Sequence, residues 1–121
     1  MAVSFYSIVV NTHDLPALAR FWCGVLDWKV LFEAEDEIVI GADKHALPGI
    51  TFVPVTDAKT TFNRLHIDLA PDDLDTEVER ITGLGARRAD VGQPADVSWV
   101  VLEDPEGNEF CVLSPKNSLI D

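Results

Sequence analysis

The sequence predicts an α+β domain in which two βαβββ modules form one curved, cup-like mixed sheet with helices on its outer face. Two observations support this prediction. The order strand, helix and three further strands occurs twice within 121 residues. In addition, the two helix starts, at Asp14 and Asp73, are 59 residues apart, and the same offset places Ser7 on His66.

The first helix is predicted by an apolar stripe at helical spacing, formed by Leu18, Phe21, Trp22, Val25 and Leu26. Asp14 is suited to the N-cap position. Pro16 is suited to the first turn, where a backbone N–H is not needed.

The second helix has a similar stripe, formed by Leu74, Val78, Ile81 and Leu84. Asp72 or Asp73 is expected to cap its start. Gly85 is expected to end it, because glycine readily adopts the left-handed conformation that stops a helix.

Three strand-like runs follow each helix. They are Lys29–Glu33, Glu37–Ala42 and Gly49–Pro54 in the first half, and Arg87–Gly92, Val97–Glu103 and Glu109–Leu113 in the second. The segment DPEGN at 104–108 combines proline and glycine as a tight turn does, so it is expected to join the last two strands as a hairpin.

The length fits a single domain covering residues 1–121, with modules at about 1–56 and 61–115 and a linker at 56–61. No apolar run approaches the length of a membrane span, and the first residues lack a signal-peptide pattern. Cys23 and Cys111 form neither a disulfide framework nor a CxxC metal motif. A reduced, cytoplasmic protein is the simplest expectation.

The formal net charge is −12. This charge disfavours nucleic acid as a partner, because phosphate binding depends on clustered Lys and Arg. An acidic surface attracts a cationic small molecule, although the same charge also serves solubility alone.

Strand alternation separates an apolar, helix-covered face from a mixed face. The mixed face is predicted to hold Ser7, Val9, Thr51, Val53, His66, Asp68, Trp99 and Cys111. The positions of Trp99 and Cys111 assume that the hairpin pairs Glu103 with Glu109, since a slip of one residue would reverse them. A few polar groups among apolar ones are typical of a small-molecule site.

The paired modules, the helix opening HDLPALARFW with its following VLDW, and the ending WVVLEDPEGNEFCVL resemble the vicinal oxygen chelate superfamily. This superfamily includes glyoxalase I, extradiol dioxygenases, fosfomycin-resistance enzymes and bleomycin-resistance proteins. The chain is most similar to its branch of small glyoxalase-like domains. The resemblance covers nearly the whole chain and implies a homodimer.

In metal-dependent members, four strand positions supply His, Gln or Glu ligands. The matching positions here hold Ser7, Thr51, His66 and Cys111, of which only His66 is a usual ligand type. Asp68 shares their face, as does Glu109, and either carboxylate could turn toward an ion. The resemblance therefore predicts no metal or other cofactor, and no glyoxalase I activity, because three of the four positions are changed.

The leading hypothesis is a metal-free protein that binds a small, cationic or aromatic organic molecule through Ser7, Thr51, His66, Asp68, Trp99 and Cys111, as drug-sequestering members do. One alternative is a lyase, isomerase or dioxygenase-like enzyme that uses His66 as its catalytic group, with or without a metal. Another is an interaction module without a small ligand.

Two interpretations remain open for each of three side chains. His66 is either a working group or a structural one. Cys111 is either a nucleophile or an inert thiol. Trp99 either stacks on a ligand or packs in the core.

Overall fold

The computed structural model describes residues 4–57, 59–61 and 63–120. The chain divides into two compact units, Met1–Ala58 and Lys59–Asp121, and residue 58 of the predicted linker lies outside the described residues. Each unit has one helix and four strands in the order βαβββ, so the predicted α+β class is confirmed. The elements are β1 Ser7–Thr12, α1 Leu15–Leu26, β2 Lys29–Ala34, β3 Glu37–Gly41, β4 Gly49–Pro54, β5 Ile67–Leu69, α2 Leu74–Gly83, β6 Arg87–Arg88, β7 Val100–Glu103 and β8 Glu109–Val112.

Both modules have the same sheet topology. The strand order is β1-β4-β3-β2 in the first module and β5-β8-β7-β6 in the second. The first strand of each module pairs in parallel with the last, and the remaining neighbours are antiparallel. Each sheet is therefore mixed, and the repeat predicted from the sequence holds at the level of strand pairing.

The core of the first module lies between α1 and one face of its sheet. Ile38, Ile40, Ile50 and Phe52 alternate along β3 and β4, and each is at most 3% exposed. Four residues of the predicted α1 stripe, Leu18, Phe21, Trp22 and Val25, lie in this core, with Phe21 and Trp22 in edge-to-face contact at 5.3 Å between ring centroids, whereas Leu26 is half-buried. Alternation in the strands and the 3.6-residue period of the helix thus bring the apolar faces together.

The ends of α1 follow from local chemistry. The Asp14 carboxylate accepts a hydrogen bond from the Ala17 N–H at 3.2 Å, as an N-cap does. Asp27 ends the helix in the left-handed conformation with φ of 55°, and the Trp28 N–H closes the last turn on the Cys23 carbonyl.

In α2, the N-cap is Asp73, whose carboxylate accepts the Thr76 N–H at 3.0 Å. Gly85 has φ of +124°, consistent with its predicted role in ending the helix. The prediction that Leu84 belongs to the buried stripe is wrong, since Leu84 is 43% exposed. Leu84 is the C-cap of α2, one residue beyond the helix that buries Val78 and Ile81.

Several strands of the second module are short. β5 covers only Ile67–Leu69 and begins directly after His66. β6 ends at Arg88, because the Asp90 carboxylate accepts the N–H of Gly92, whose φ of +88° turns the chain. β7 consequently starts at Val100 instead of Val97.

The predicted hairpin between β7 and β8 has the predicted register, with Glu103 opposite Glu109. Its turn is organised by Asp104, which is 1% exposed. The Asp104 Oδ1 atom accepts the backbone N–H groups of Glu106 and Asn108, both at 2.9 Å, and the Asn108 side chain also donates to the carboxylate. Gly107 supplies the positive φ, at +85°.

Candidate functional site

The helix-free face of the first module carries a hydroxyl pair in apolar surroundings. Val9, Thr51 and Val39 lie opposite one another across β1, β4 and β3. The Ser7 Oγ and Thr51 Oγ1 atoms are 2.8 Å apart, so the two hydroxyls satisfy each other by a hydrogen bond. Val9 is 62% exposed, so this face lies outside the α1 core. Ser7 and Thr51 therefore occupy the predicted face.

The second module brings together three chemically reactive groups. Asp68, Cys111 and Val101 lie opposite one another across β5, β8 and β7. His66 Nε2 is 3.1 Å from Asp68 Oδ1. One ring nitrogen of His66, one carboxylate oxygen of Asp68 and the sulfur of Cys111 all lie within 4.8 Å of one another. The side chains of His66 and Asp68 are about half exposed, whereas Cys111 is half-buried.

The Cys111 thiol is held in its neutral form. Burial raises its pKa, and the nearby charge of Asp68 raises it further. Burial also raises the pKa of the other thiol, at Cys23 in α1. Since the thiolate is the nucleophile, a raised pKa disfavours nucleophilic chemistry at either thiol. This electrostatic setting favours the inert interpretation of Cys111.

Trp99 immediately precedes β7 and is 39% exposed. The register that was assumed for its placement is present, and it puts Val101 directly opposite Cys111. Because Trp99 is outside the strand, the ladder does not fix the face of its ring. Its exposure contrasts with that of Trp22, which is 4% exposed in the α1 core.

Glu109 is engaged by a segment that the sequence analysis did not connect with it. Its Oε1 accepts a hydrogen bond from Lys59 Nζ at 2.6 Å, and its Oε2 accepts one from the Asn63 backbone N–H at 2.8 Å. Lys59 also donates to the Thr61 carbonyl. Burial opposes the charged carboxylate, but these hydrogen bonds outweigh it and lower the pKa of Glu109. Glu109 thus joins β8 to the start of the module, and its oxygens are already occupied.

The chain matches the sequence model of the family described as Glyoxalase-like domain over residues 7–113. It belongs to this family. No curated protein sequence matches the chain.

Solved structures of the glyoxalase and dioxygenase type share this fold. A glyoxalase/bleomycin resistance protein/dioxygenase family enzyme from Burkholderia phytofirmans has a TM-score of 0.69 at 16% identity, covering 94% of this chain and 100% of the other. A second structure is a mutant of the fosfomycin resistance protein FosX from Listeria monocytogenes in complex with Mn(II) and 1S,2S-dihydroxypropylphosphonic acid. It has a TM-score of 0.71 at 13% identity, covering 96% of this chain and 92% of the other. TnmS3, an antibiotic-binding protein from Streptomyces, has a TM-score of 0.66 at 18% identity, with coverages of 96% and 99%. These likenesses support the glyoxalase-like fold.

The four positions carried over from metal-dependent members do not fit a metal ion of the glyoxalase kind. The Ser7 and Thr51 hydroxyls are bonded to each other and are poor ligands for a divalent transition metal. His66 and Cys111 alone fall short of a three- or four-ligand site. The cluster that the structure does bring together is completed by Asp68, which is at none of those four positions.

No helix among the described residues is long and apolar enough to cross a membrane.

Proposed function

We propose that this glyoxalase-like protein binds a small organic molecule and shields it, without a metal of the glyoxalase kind. The observation that carries the proposal is the cluster of His66, Asp68 and Cys111, in which the His66 and Asp68 side chains are about half exposed. Half-exposed polar groups can orient a ligand, and the partly exposed ring of Trp99 offers apolar contact area. The antibiotic-binding name of TnmS3 supports the same class of function.

The expected ligand is cationic, aromatic or both. Asp68 provides a carboxylate that is half exposed, and the net charge of −12 attracts cations over a longer range. The partly exposed ring of Trp99 is available for stacking or for a cation–π contact.

The test is a screen of cationic aromatic compounds by calorimetry, with tryptophan emission as a second signal. We expect micromolar binding that weakens in Asp68→Asn, because the charge partner is removed while the shape is kept. In Trp99→Phe the ligand-dependent change in emission should disappear. Trp28→Phe is the control, since Trp28 follows α1 in the first module. Absence of any micromolar ligand would contradict the proposal.

We propose enzymatic activity as a second function, favoured by the 3.1 Å contact between His66 Nε2 and Asp68 Oδ1. A carboxylate in this position orients an imidazole so that it can remove an acidic C–H proton, as an isomerase or lyase requires. His66→Ala should then abolish turnover, while His45→Ala, in an exposed loop, should not. Equal turnover in both variants would reject His66 as the base.

We further propose that the protein forms a two-fold homodimer, as the family resemblance implies. The edge strand β2 supports a contact between chains, because Val30 and Phe32 are 48% and 54% exposed. Sedimentation equilibrium should give an average mass of twice the chain mass, and the Phe32→Glu variant should have a lower average mass. A wild-type monomer at high micromolar concentration would contradict the dimer.

A further inference from the structure

We infer that the second module contains a binding site for one thiophilic divalent cation of the zinc class, formed by His66, Asp68 and Cys111. This inference goes beyond the proposed ligand binding, which needs no metal. It also differs from the four-position site of the metal-dependent relatives, because all three ligands come from one module and Asp68 replaces the missing donors.

The donor atoms of the three ligands lie close together. One donor atom from each of His66, Asp68 and Cys111 lies within 4.8 Å of the other two. Zinc–ligand bonds are roughly 2.0–2.3 Å long, so two ligands of one tetrahedral ion lie about 3.4–3.8 Å apart. The 3.1 Å separation of His66 Nε2 and Asp68 Oδ1 is close to this geometry already. Rotation of the half-exposed His66 and Asp68 side chains supplies the remaining adjustment toward the sulfur.

The paired backbones of β5 and β8 hold two of the ligands side by side. Asp68 and Cys111 are directly opposite each other in the parallel pair of β5 and β8. His66 directly precedes β5, and the 3.1 Å contact of its Nε2 with Asp68 Oδ1 brings the two side chains to the same place. An ion held here would bridge two hydrogen-bonded strands and would need no rearrangement of the sheet.

The three ligands also match a thiophilic dication in charge and donor type. With a neutral imidazole, one carboxylate and one thiolate, the ligands carry two negative charges and neutralise a dication. A thiolate selects zinc over the harder manganese ion, in contrast to the Mn(II) present in the FosX complex. Three protein ligands leave a fourth tetrahedral position open, as in catalytic zinc sites. Binding displaces the thiol proton of Cys111 into solvent, so no oxidant or reductant takes part.

The test is a titration of the full-length, tag-free protein, freed of metal and kept reduced, with Co(II) as a spectroscopic substitute for Zn(II). We expect one ion per chain, with a near-ultraviolet band from charge transfer between thiolate and cobalt. Zn(II) should displace the cobalt, and Mn(II) should not. Cys111→Ser should remove the band. Because loss of an outer-shell partner already weakens metal binding roughly 10–100-fold, His66→Ala and Asp68→Asn should each weaken it by at least about that factor.

Cys23→Ser is the matched control, because Cys23 is a half-buried thiol in the other module and should leave both stoichiometry and band unchanged. Thermal melts confirm that the variants fold. No stoichiometric Co(II) binding, a band that survives in Cys111→Ser, or equal affinity for Mn(II) and Zn(II) would overturn the inference. Calorimetry with organic ligands on the metal-free protein tests the proposed function separately, so either can fail alone.

Discussion

Lys59 Nζ lies 2.6 Å from Glu109 Oε1, although 50 residues separate the two in the sequence. The Asn63 N–H donates to the other oxygen of the same carboxylate at 2.8 Å, and the Asn63 side chain donates to the Glu109 carbonyl. Glu109 is only 12% exposed. One carboxylate therefore ties the segment that enters the second module to its last strand.

This arrangement predicts a specific dependence of stability on pH. The folded state lowers the pKa of Glu109, so its contribution to the free energy of unfolding is complete above the ordinary carboxyl pKa of about 4.3 and is lost as pH falls through the lower, folded value. Glu109→Gln should cost about 1 kcal/mol at neutral pH, where the charged hydrogen bonds are lost. It should also flatten the decline in stability below about pH 4.3, as measured by urea unfolding.

Glu103→Gln is the matched control, because Glu103 lies opposite Glu109 in the hairpin and also pairs with a cation, Arg87, at 2.6 Å. Arg87 is 71% exposed, so this ion pair is screened by solvent and should contribute less than about 1 kcal/mol. An acid profile that changes equally in the two variants would contradict a special role for Glu109.

The Asp104 carboxylate should be the most costly of the turn side chains to remove. Asp104→Ala empties a buried position and leaves the N–H groups of Glu106 and Asn108, in a half-buried turn, without their acceptor. Because an unsatisfied buried donor costs about 1–3 kcal/mol, we expect a loss of at least about 2 kcal/mol in denaturant unfolding. Asp96→Ala, at an exposed loop position, should change stability by less than about 0.5 kcal/mol. Similar losses in the two variants would refute the role of the carboxylate.

Two glycines make a matched pair for the effect of backbone conformation. A Cβ atom would meet nothing within 4 Å at either Gly107 or Gly83, so packing does not distinguish them. Gly107 has φ of +85°, whereas Gly83 is the last residue of α2. Gly107→Ala should destabilise by about 1 kcal/mol because of left-handed strain, and Gly83→Ala should stabilise by about 0.5 kcal/mol because alanine favours a helix. Melting temperatures that shift in the same direction in the two variants would contradict this difference in backbone conformation.

Local patterns predicted the fold well because each depends on residues near one another in sequence. Alternation placed Ser7 and Thr51 on one face, where their hydroxyls meet, and the register assumed for the DPEGN hairpin, Glu103 opposite Glu109, is the one present. The end of β6 was missed because it depends on a side chain, Asp90, that bonds to the turning backbone.

The candidate site was predicted only in part. Alternation placed His66 and Asp68 on one side of a strand and Cys111 on the matching side of another. Their approach to within 4.8 Å depends on side-chain orientation, which no periodicity encodes. The Lys59–Glu109 contact had no sequence signal at all, because no local rule relates residues 50 apart.

The single domain expected from chain length predicts that both modules unfold in one transition, although each has its own core. The tryptophans allow a direct test, since Trp22 and Trp28 lie in the first module and Trp99 lies in the second. In urea, the emission of Trp99→Phe reports on the first module, whereas the emission of the double variant Trp22→Phe and Trp28→Phe reports on the second.

Each variant also changes stability, so the comparison is made within one protein, between its emission and its far-ultraviolet circular dichroism, which follows both helices. Coincident curves in both variants mean one cooperative domain. An emission transition displaced from the dichroism transition would mean that the modules unfold separately and that the boundary near residues 58 and 59 divides two domains.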